Sequence, residues 1–335
     1  MPGLLPLPGF VNAHSHAFQR ALRGKAAGGD FWAWRESMLD LARGLTPGRV
    51  REDYAATYRE MRTAGYTAVG EFHYVGFEEA KSAAEAAREA GVELVLLLTA
   101  YGRGGLDRFR QHSAADYLRQ VEALAAAGTR VGLAPHSVRA CPRDWLEEIG
   151  AFGEREGLVL HAHADEQPRE IDECLAEHGL RPIELLAEAG CLGPRTTVVH
   201  ATHADEHELD LLVEHGAGVC VCPTTEANLG DGFPPLEGLL AREIPLCIGS
   251  DSNVRIDPLE ELRELDGTAR RQALRRDVIP VPLLLQIGAA NGARALGLDA
   301  WPGVEVDLGH PGLRGVEESD APAALVHGCG ADVFV

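Results

Sequence analysis

The amino-acid sequence predicts a (β/α)₈ barrel, and three observations carry the prediction. Eight short runs rich in Val, Leu and Ala recur along the chain, longer segments of helical periodicity separate them, and reactive side chains cluster where the runs end. The runs are "GFVNAH", "TAVGEFHY", "VELVLLLTAY", "TRVGLAPHS", "LVLHAHA", "TTVVHATH", "AGVCVCPTT" and "IPLCIGSD". Candidate helices between and after them include 78–90, 114–127, 143–156, 182–190, 205–215 and 257–275. A doubly wound open sheet would also alternate in this way, but no glycine-rich phosphate loop follows any run. No repeat, low-complexity tract or Ser/Gly linker marks an earlier boundary, so residues 1–300 are expected to form the catalytic barrel and 301–335 a residual C-terminal β segment.

The run ends are taken in order. They carry His14 and His16, His73 and Tyr74, Tyr101, His136, His161 and His163, His200 and His203, Thr224 and Thr225, and Asp251. In a (β/α)₈ barrel the active site is built at the carboxyl ends of the strands, so this placement is a functional signal. His14 and His16 stand two apart and so point to one face of a strand, from which two imidazoles reach one ion at about 2.0–2.1 Å. Alone, H-x-H also fits two histidines satisfied by ordinary hydrogen bonds. His163 in "HAHADE" and Asp251 in "GSDS" add a third imidazole and a carboxylate from other runs. That donor set suits one divalent ion, with Zn²⁺ expected first and Fe²⁺ sharing the same ligands. Only two lysines are present, Lys25 and Lys81, and neither ends a run, which argues against a dinuclear site bridged by a modified lysine.

A lone divalent ion acidifies bound water, and hydrolysis at an sp² carbon also needs a group that moves the proton to the leaving nitrogen. Glu166, three residues beyond His163, is the candidate; its competing reading is an exposed loop carboxylate in "DEQPREIDE". His200, ending the next run, is placed to hold water or polarise a substrate, or else to hydrogen-bond within the barrel mouth.

Composition bounds the remaining classes. The chain has 335 residues, 45% of them hydrophobic, and a formal charge of −20, which argues against a nucleic-acid backbone or an anionic membrane surface as partner. A small anionic substrate stays compatible with that charge, because a few arginines in a cleft set the local field. The longest apolar run is too short to span a bilayer, and "MPGLLPLPGF" lacks the basic start and cleavage site of a signal peptide, so a cytoplasmic protein is expected. The seven cysteines are scattered without C-x-x-C spacing and read as reduced core residues, including Cys220 and Cys222 in "GVCVCP".

The set "HSHAFQRAL", "FWAWRESM", "AGYTAVGEFHYV", "HSVRA", "HAHADEQ", "VHATHAD", "CPTTEANLGDGFPP" and "GSDSNV" resembles the formimidoylglutamate deiminases of histidine degradation, within the amidohydrolase superfamily. The match runs from about residue 8 to 265; "HSHAFQR" with "TEANLGDG" is specific to that family, whereas H-x-H and the final Asp mark the superfamily. The resemblance implies zinc ligands at His14, His16, His163 and Asp251. It implies proton transfer by Glu166 and His200, with Asp251 taking the first proton from the attacking water. It implies substrate binding by Gln19, Arg35, Tyr101, His136 and Arg139, the two arginines facing carboxylates as bidentate partners. The competing readings are a surface salt bridge or packing on Trp32 and Trp34 for Arg35, and a helix-start contact for Arg139.

The implied reaction is hydrolysis of N-formimino-L-glutamate to N-formyl-L-glutamate and ammonia, by a homodimer. The rivals are a purine, pyrimidine or triazine aminohydrolase of the same superfamily, and a catalytically inactive, truncated metal-binding relative. Family members usually carry a β-sandwich built from segments on both sides of the barrel. Here the first run begins almost at once, so the amino-terminal half is expected to be missing. The tail either packs as a small appendage or pairs with another chain.

Overall fold

The computed structural model describes residues 3–25 and 28–335. Ten strands are present among them: β1 (Leu4–Pro8), β2 (Phe10–Ser15), β3 (Tyr66–His73), β4 (Glu93–Ala100), β5 (Val131–Pro135), β6 (Leu160–Ala164), β7 (Thr196–His200), β8 (Gly218–Val221), β9 (Leu246–Ile248) and β10 (Gly303–Asp307). Strands β2 to β9 form one parallel sheet in sequence order, and they are the eight runs read from the sequence. Covered by helices outside and side chains inside, β2 and β3 are buried at every position, which is why they read as apolar runs without a polar alternation.

The sheet closes at the chemistry. Ser15 bridges Asp251 in parallel, with His16 N–H donating to Asp251 O at 2.8 Å and Asp251 N–H donating to His14 O at 3.0 Å. A Cβ on Gly249 would lie 2.7 Å from His14 O, so β9 reaches β2 only because that residue is glycine. Closing the barrel and assembling His14, His16 and Asp251 are therefore one event.

The expected helices lie at Phe77–Ala90, Ala114–Ala126, Arg143–Glu156, Pro182–Glu188, Glu206–His215 and Pro258–Ala273. Their ends follow local chemistry: Ser113, Asp205 and Asp257 accept backbone N–H groups at N-caps, and Gly91, Gly157 and Gly216 adopt left-handed C-caps. Between β2 and β3 lie two further helices, Phe31–Arg43 and Pro47–Thr63, and the first of these carries Arg35.

The two chain ends pair with each other. β1 runs antiparallel to β10, from Leu4 opposite Asp307 to Pro8 opposite Gly303, forming a separate two-stranded sheet. Residues ahead of the first barrel strand thus form a strand of their own. Pro6 and Pro8 suit such a ribbon because an edge strand needs no N–H toward solvent. The tail holds one strand; the rest is the helix Ala321–Gly328 and short 3₁₀ turns. It docks within the chain, where Arg263 donates to Val326 O at 3.0 Å and Cys329 O at 2.6 Å, and Phe334 packs on Phe10 with ring centroids 5.5 Å apart. All seven cysteines are free and buried; Cys220, Cys222 and Cys247 pack with Ala13 and Val199. No helix among the described residues is long and apolar enough to cross a membrane.

Candidate active site

His14 and His16 leave the end of β2, His163 lies on β6, and Asp251 follows β9. Their ligand atoms meet: His14 Nε2 lies 3.2 Å from His16 Nε2, 3.1 Å from His163 Nε2 and 3.4 Å from Asp251 Oδ1, and His16 Nε2 lies 3.2 Å from Asp251 Oδ1. Four donors about 2.0–2.1 Å from one tetrahedral ion stand about 3.3 Å apart, so the spacing fits a divalent cation. The second ring nitrogens agree. His16 Nδ1 is 2.9 Å from Phe72 O and His163 Nδ1 is 3.0 Å from His136 O, which places the proton on Nδ1 and leaves each Nε2 lone pair toward its neighbours. Burial pushes His14 down to about 3 and lowers His16 and His163 as well, keeping the imidazoles neutral as ligands must be. Burial alone would raise the Asp251 carboxyl, but the His14 hydrogen bond and the His16 imidazole hold it below the usual carboxylate range.

The scaffold over-determines these positions. Phe72 contacts the rings of His14, His16 and His163, with centroids at 4.9, 5.4 and 4.6 Å. Asp251 has φ 42°, a left-handed conformation costing about 1–3 kcal/mol for a non-glycine residue. It is held there by its bonds to β2 and by Asn253 Nδ2, which donates to Asp251 O at 3.0 Å. Ser250 and Asn12 complete the frame, with Ser250 N–H donating to Asn12 Oδ1 at 3.0 Å and Asn12 Nδ2 donating to Ser250 Oγ at 2.6 Å.

Beside these four residues His200 and Glu166 lie together, both buried. His200, itself at φ 74°, stacks on His163 with centroids 5.4 Å apart. Its Nδ1 lies 3.2 Å from Glu226 Oε1, and its Nε2 lies 3.6 Å from Glu166 Oε1. Burial opposes a charge on His200, yet the carboxylates of Glu166, Glu226 and Asp251 push it up to about 10. Burial raises Glu166 to about 7, against the pull of His200 and Arg139. Glu166 is 6% exposed, so it is not a solvated loop carboxylate.

The remaining expected residues sit around the same mouth. Gln19, on the 3₁₀ turn Ala17–Leu22, donates through Nε2 to Tyr74 OH at 2.8 Å and leaves Oε1 unpartnered. Tyr101 packs on His136 with centroids 4.5 Å apart. Arg139 lies 3.5 Å from Glu166 Oε2 and donates through Nε to Glu170 Oε1 at 3.3 Å, so it meets both the mouth and the first turn of the helix Pro168–His178. Arg35 is 3.5 Å from Glu36 and about a third exposed. Burial is the main influence on Tyr101 (raised) and His136 (lowered), with the charges of Arg139 and Arg35 acting on both.

Some run-end residues turn away. His73 binds Gly76 O at 2.9 Å, His161 binds Ala295 O at 2.9 Å, and Thr224 is held by Glu261 at 3.0 Å through its N–H. Conversely, sequence reasoning assigned no role to Glu226, Asp231, Gln167 or Glu170. The first two lie in "TEANLGDG", a motif that marked the family without revealing which of its side chains turn inward. A cavity of about 570 Å³ opens at the opposite end of the barrel, lined by Gly150, Glu154, Gly190, Arg195 and Glu214 among others. It holds none of the residues expected at the site, which gather at the strand ends.

Residues 5–303 match the amidohydrolase family. The chain belongs to that family. Among its amidohydrolase relatives, a formimidoylglutamate deiminase of Pseudomonas aeruginosa is 40% identical, over 87% of this chain and 72% of its own. A 5-methylthioadenosine/S-adenosylhomocysteine deaminase of Haloarcula marismortui is 30% identical, over 95% of this chain and 74% of its own. In three dimensions the chain resembles an amidohydrolase from Brucella melitensis, with a TM-score of 0.86, 30% identity and coverage of 98% and 84%. A zinc-bound adenosine deaminase from Xanthomonas campestris, at 23% identity, shares the fold with a TM-score of 0.90 over 99% of this chain and 78% of that one.

Proposed function

We propose that this amidohydrolase hydrolyses the formimino group of N-formimino-L-glutamate, giving N-formyl-L-glutamate and ammonia. The observation that carries the reading is the division of charge at the mouth between the Arg139 guanidinium, 3.5 Å from Glu166 and 3.3 Å from Glu170, and the carboxylates of Glu166 and Glu226 that flank His200. A substrate with two carboxylates and one amidine matches that division. The 40% identity to the Pseudomonas aeruginosa deiminase points the same way. Of the two substrates named for the Haloarcula marismortui relative, 5-methylthioadenosine is neutral and S-adenosylhomocysteine carries a single carboxylate, so neither matches two guanidinium groups as a dicarboxylate does.

In this reading His14, His16, His163 and Asp251 hold one divalent ion, Zn²⁺ first and Fe²⁺ as the alternative with the same ligands, which would supply a Lewis acid able to acidify water. Asp251, kept ionised, accepts the first proton as water adds to the formimino carbon. Glu166, poised near neutrality, delivers a proton to the nitrogen as its bond to that carbon breaks and ammonia leaves. His200, oriented through Nδ1 by Glu226, presents Nε2 to the developing charge. The amidinium-like group sits near Gln19 and Glu166, Arg35, Arg139 and Tyr101 anchor the glutamate end, and His136 also lines the substrate. Residues 1–300 carry this chemistry and 301–335 form the appendage, in a cytoplasmic homodimer. Ammonia release tests the assignment. Turnover of N-formimino-L-glutamate far above 5-methylthioadenosine, guanine and cytosine is expected, and preferential turnover of a nucleoside or base would refute it.

A further inference from the structure

The barrel mouth holds an acidic side chain that none of these roles uses. Asp231 follows the helix Pro223–Leu229 and is 4% exposed. Its backbone is fully engaged, its N–H donating to Glu226 O at 3.0 Å and its carbonyl accepting from His203 Nε2 at 2.8 Å. Its Oδ1 accepts a hydrogen bond from the side-chain amide of Gln167, the residue next to Glu166. Its Oδ2 is buried with no partner among the described residues. Gln19 Oε1 and His200 Nε2, both at the site, share that condition. Anchoring the loop needs only the backbone and Oδ1, and a buried acceptor left without a partner is costly to the fold.

The surroundings define what Oδ2 would accept. Burial and the neighbouring Glu166 charge push the Asp231 carboxyl up to about 9, with Glu226 and Asp251 adding to the repulsion and His200 opposing it. Such crowding of carboxylates is relieved by a proton or by a cationic ligand. The formimino group of the proposed substrate is an amidine, cationic at neutral pH and rich in N–H donors, whereas the formyl group of the product is a neutral acceptor. Two carboxylates go to Arg35 and Arg139, which leaves the amidine end for the acidic side of the mouth.

Resting on the function proposed above, we propose that Asp231 contacts the substrate, accepting an N–H of the protonated formimino group through Oδ2 and thereby selecting amidines over neutral amides. Gln167 orients that carboxyl.

The test compares two ligands that share the glutamate scaffold, in the metal-loaded enzyme: KM for N-formimino-L-glutamate and the inhibition constant of N-formyl-L-glutamate, for wild type, Asp231→Asn and Asp231→Ser. A hydrogen bond to a charged group corresponds to about 10- to 150-fold in affinity. The expected result is a KM at least about tenfold higher in both variants, with the formyl inhibition constant changed by less than about threefold. Wild type alone should favour the amidine by at least about tenfold, a comparison that does not depend on the variants folding. Equal wild-type affinity for the two ligands, an unchanged KM, or parallel weakening of both ligands in the variants would overturn the inference. A wild-type enzyme inactive on formiminoglutamate would overturn the proposed function and this inference with it, whereas an active wild type with any of those outcomes overturns the inference alone.

Discussion

Replacing Glu166 by Gln isolates proton transfer from every other part of the site. The side chain keeps its size and its buried place between His200 Nε2 at 3.6 Å and Arg139 at 3.5 Å, and it is not among the atoms that meet at His14. Both contacts are longer than good hydrogen bonds, and the amide fills the same buried volume, so the fold is expected to survive the change. Catalysis is a different matter. Positioned general acid–base groups contribute about 10²- to 10⁴-fold, equivalent to about 3–5 kcal/mol in the barrier. The assay is ammonia release at saturating substrate, with metal content and melting temperature measured on the same sample. The expected outcome is a kcat lower by about 100-fold or more, with one metal ion retained and an unchanged melting temperature. Full turnover with metal bound would refute the role given to Glu166, and loss of the ion would show that Glu166 is a ligand.

Other expectations follow from single contacts. Phe72→Ala opens a cavity against three of the ligand imidazoles and should cost about 3–5 kcal/mol, read as a lower denaturation midpoint. Arg35→Met loses only the exposed Glu36 contact and should spare stability while raising KM about tenfold or more with kcat largely kept; an unchanged KM would remove Arg35 from the substrate site. Glu71, fully buried with Ala17 N–H donating to it at 2.8 Å, is raised by burial to about 8. The folded state therefore binds the extra proton between the usual carboxyl range and about 8, and stability falls as pH rises through that window. Glu71→Gln should remove this loss, by several kcal/mol in order of magnitude, and melt higher than wild type at alkaline pH but not at pH 5. Chelation should lower the melting temperature, because an ion bound only to the folded state stabilises it by mass action.

The fold was legible because β2 to β9 are buried on both faces and so appear as unbroken apolar runs ending in reactive residues. The convergence of His14, His16, His163 and Asp251 was legible for the same reason, since strand ends of a barrel converge by construction. The β1–β10 pair was not, because an alternation of Leu and Pro reads as coil until a partner 300 residues away is known. Glu226 and Asp231 were hidden differently. They sit on a short helix and its exit loop, where turn geometry, not periodicity, decides which carboxylates point inward. Arg139 illustrates the middle case: the family motif named it, but only the structure shows it between Glu166 and Glu170.

X-ray absorption at the metal edge of the purified enzyme, with the ion counted per chain, tests the shared-ion claim most directly. The account predicts one ion whose first shell holds only nitrogen and oxygen at about 2.0–2.2 Å, with the outer-shell scattering of three imidazoles. Absence of a bound ion would contradict it, and so would a sulfur at about 2.3 Å, which would place the metal instead on the neighbouring group of His200, Cys222 and Glu226.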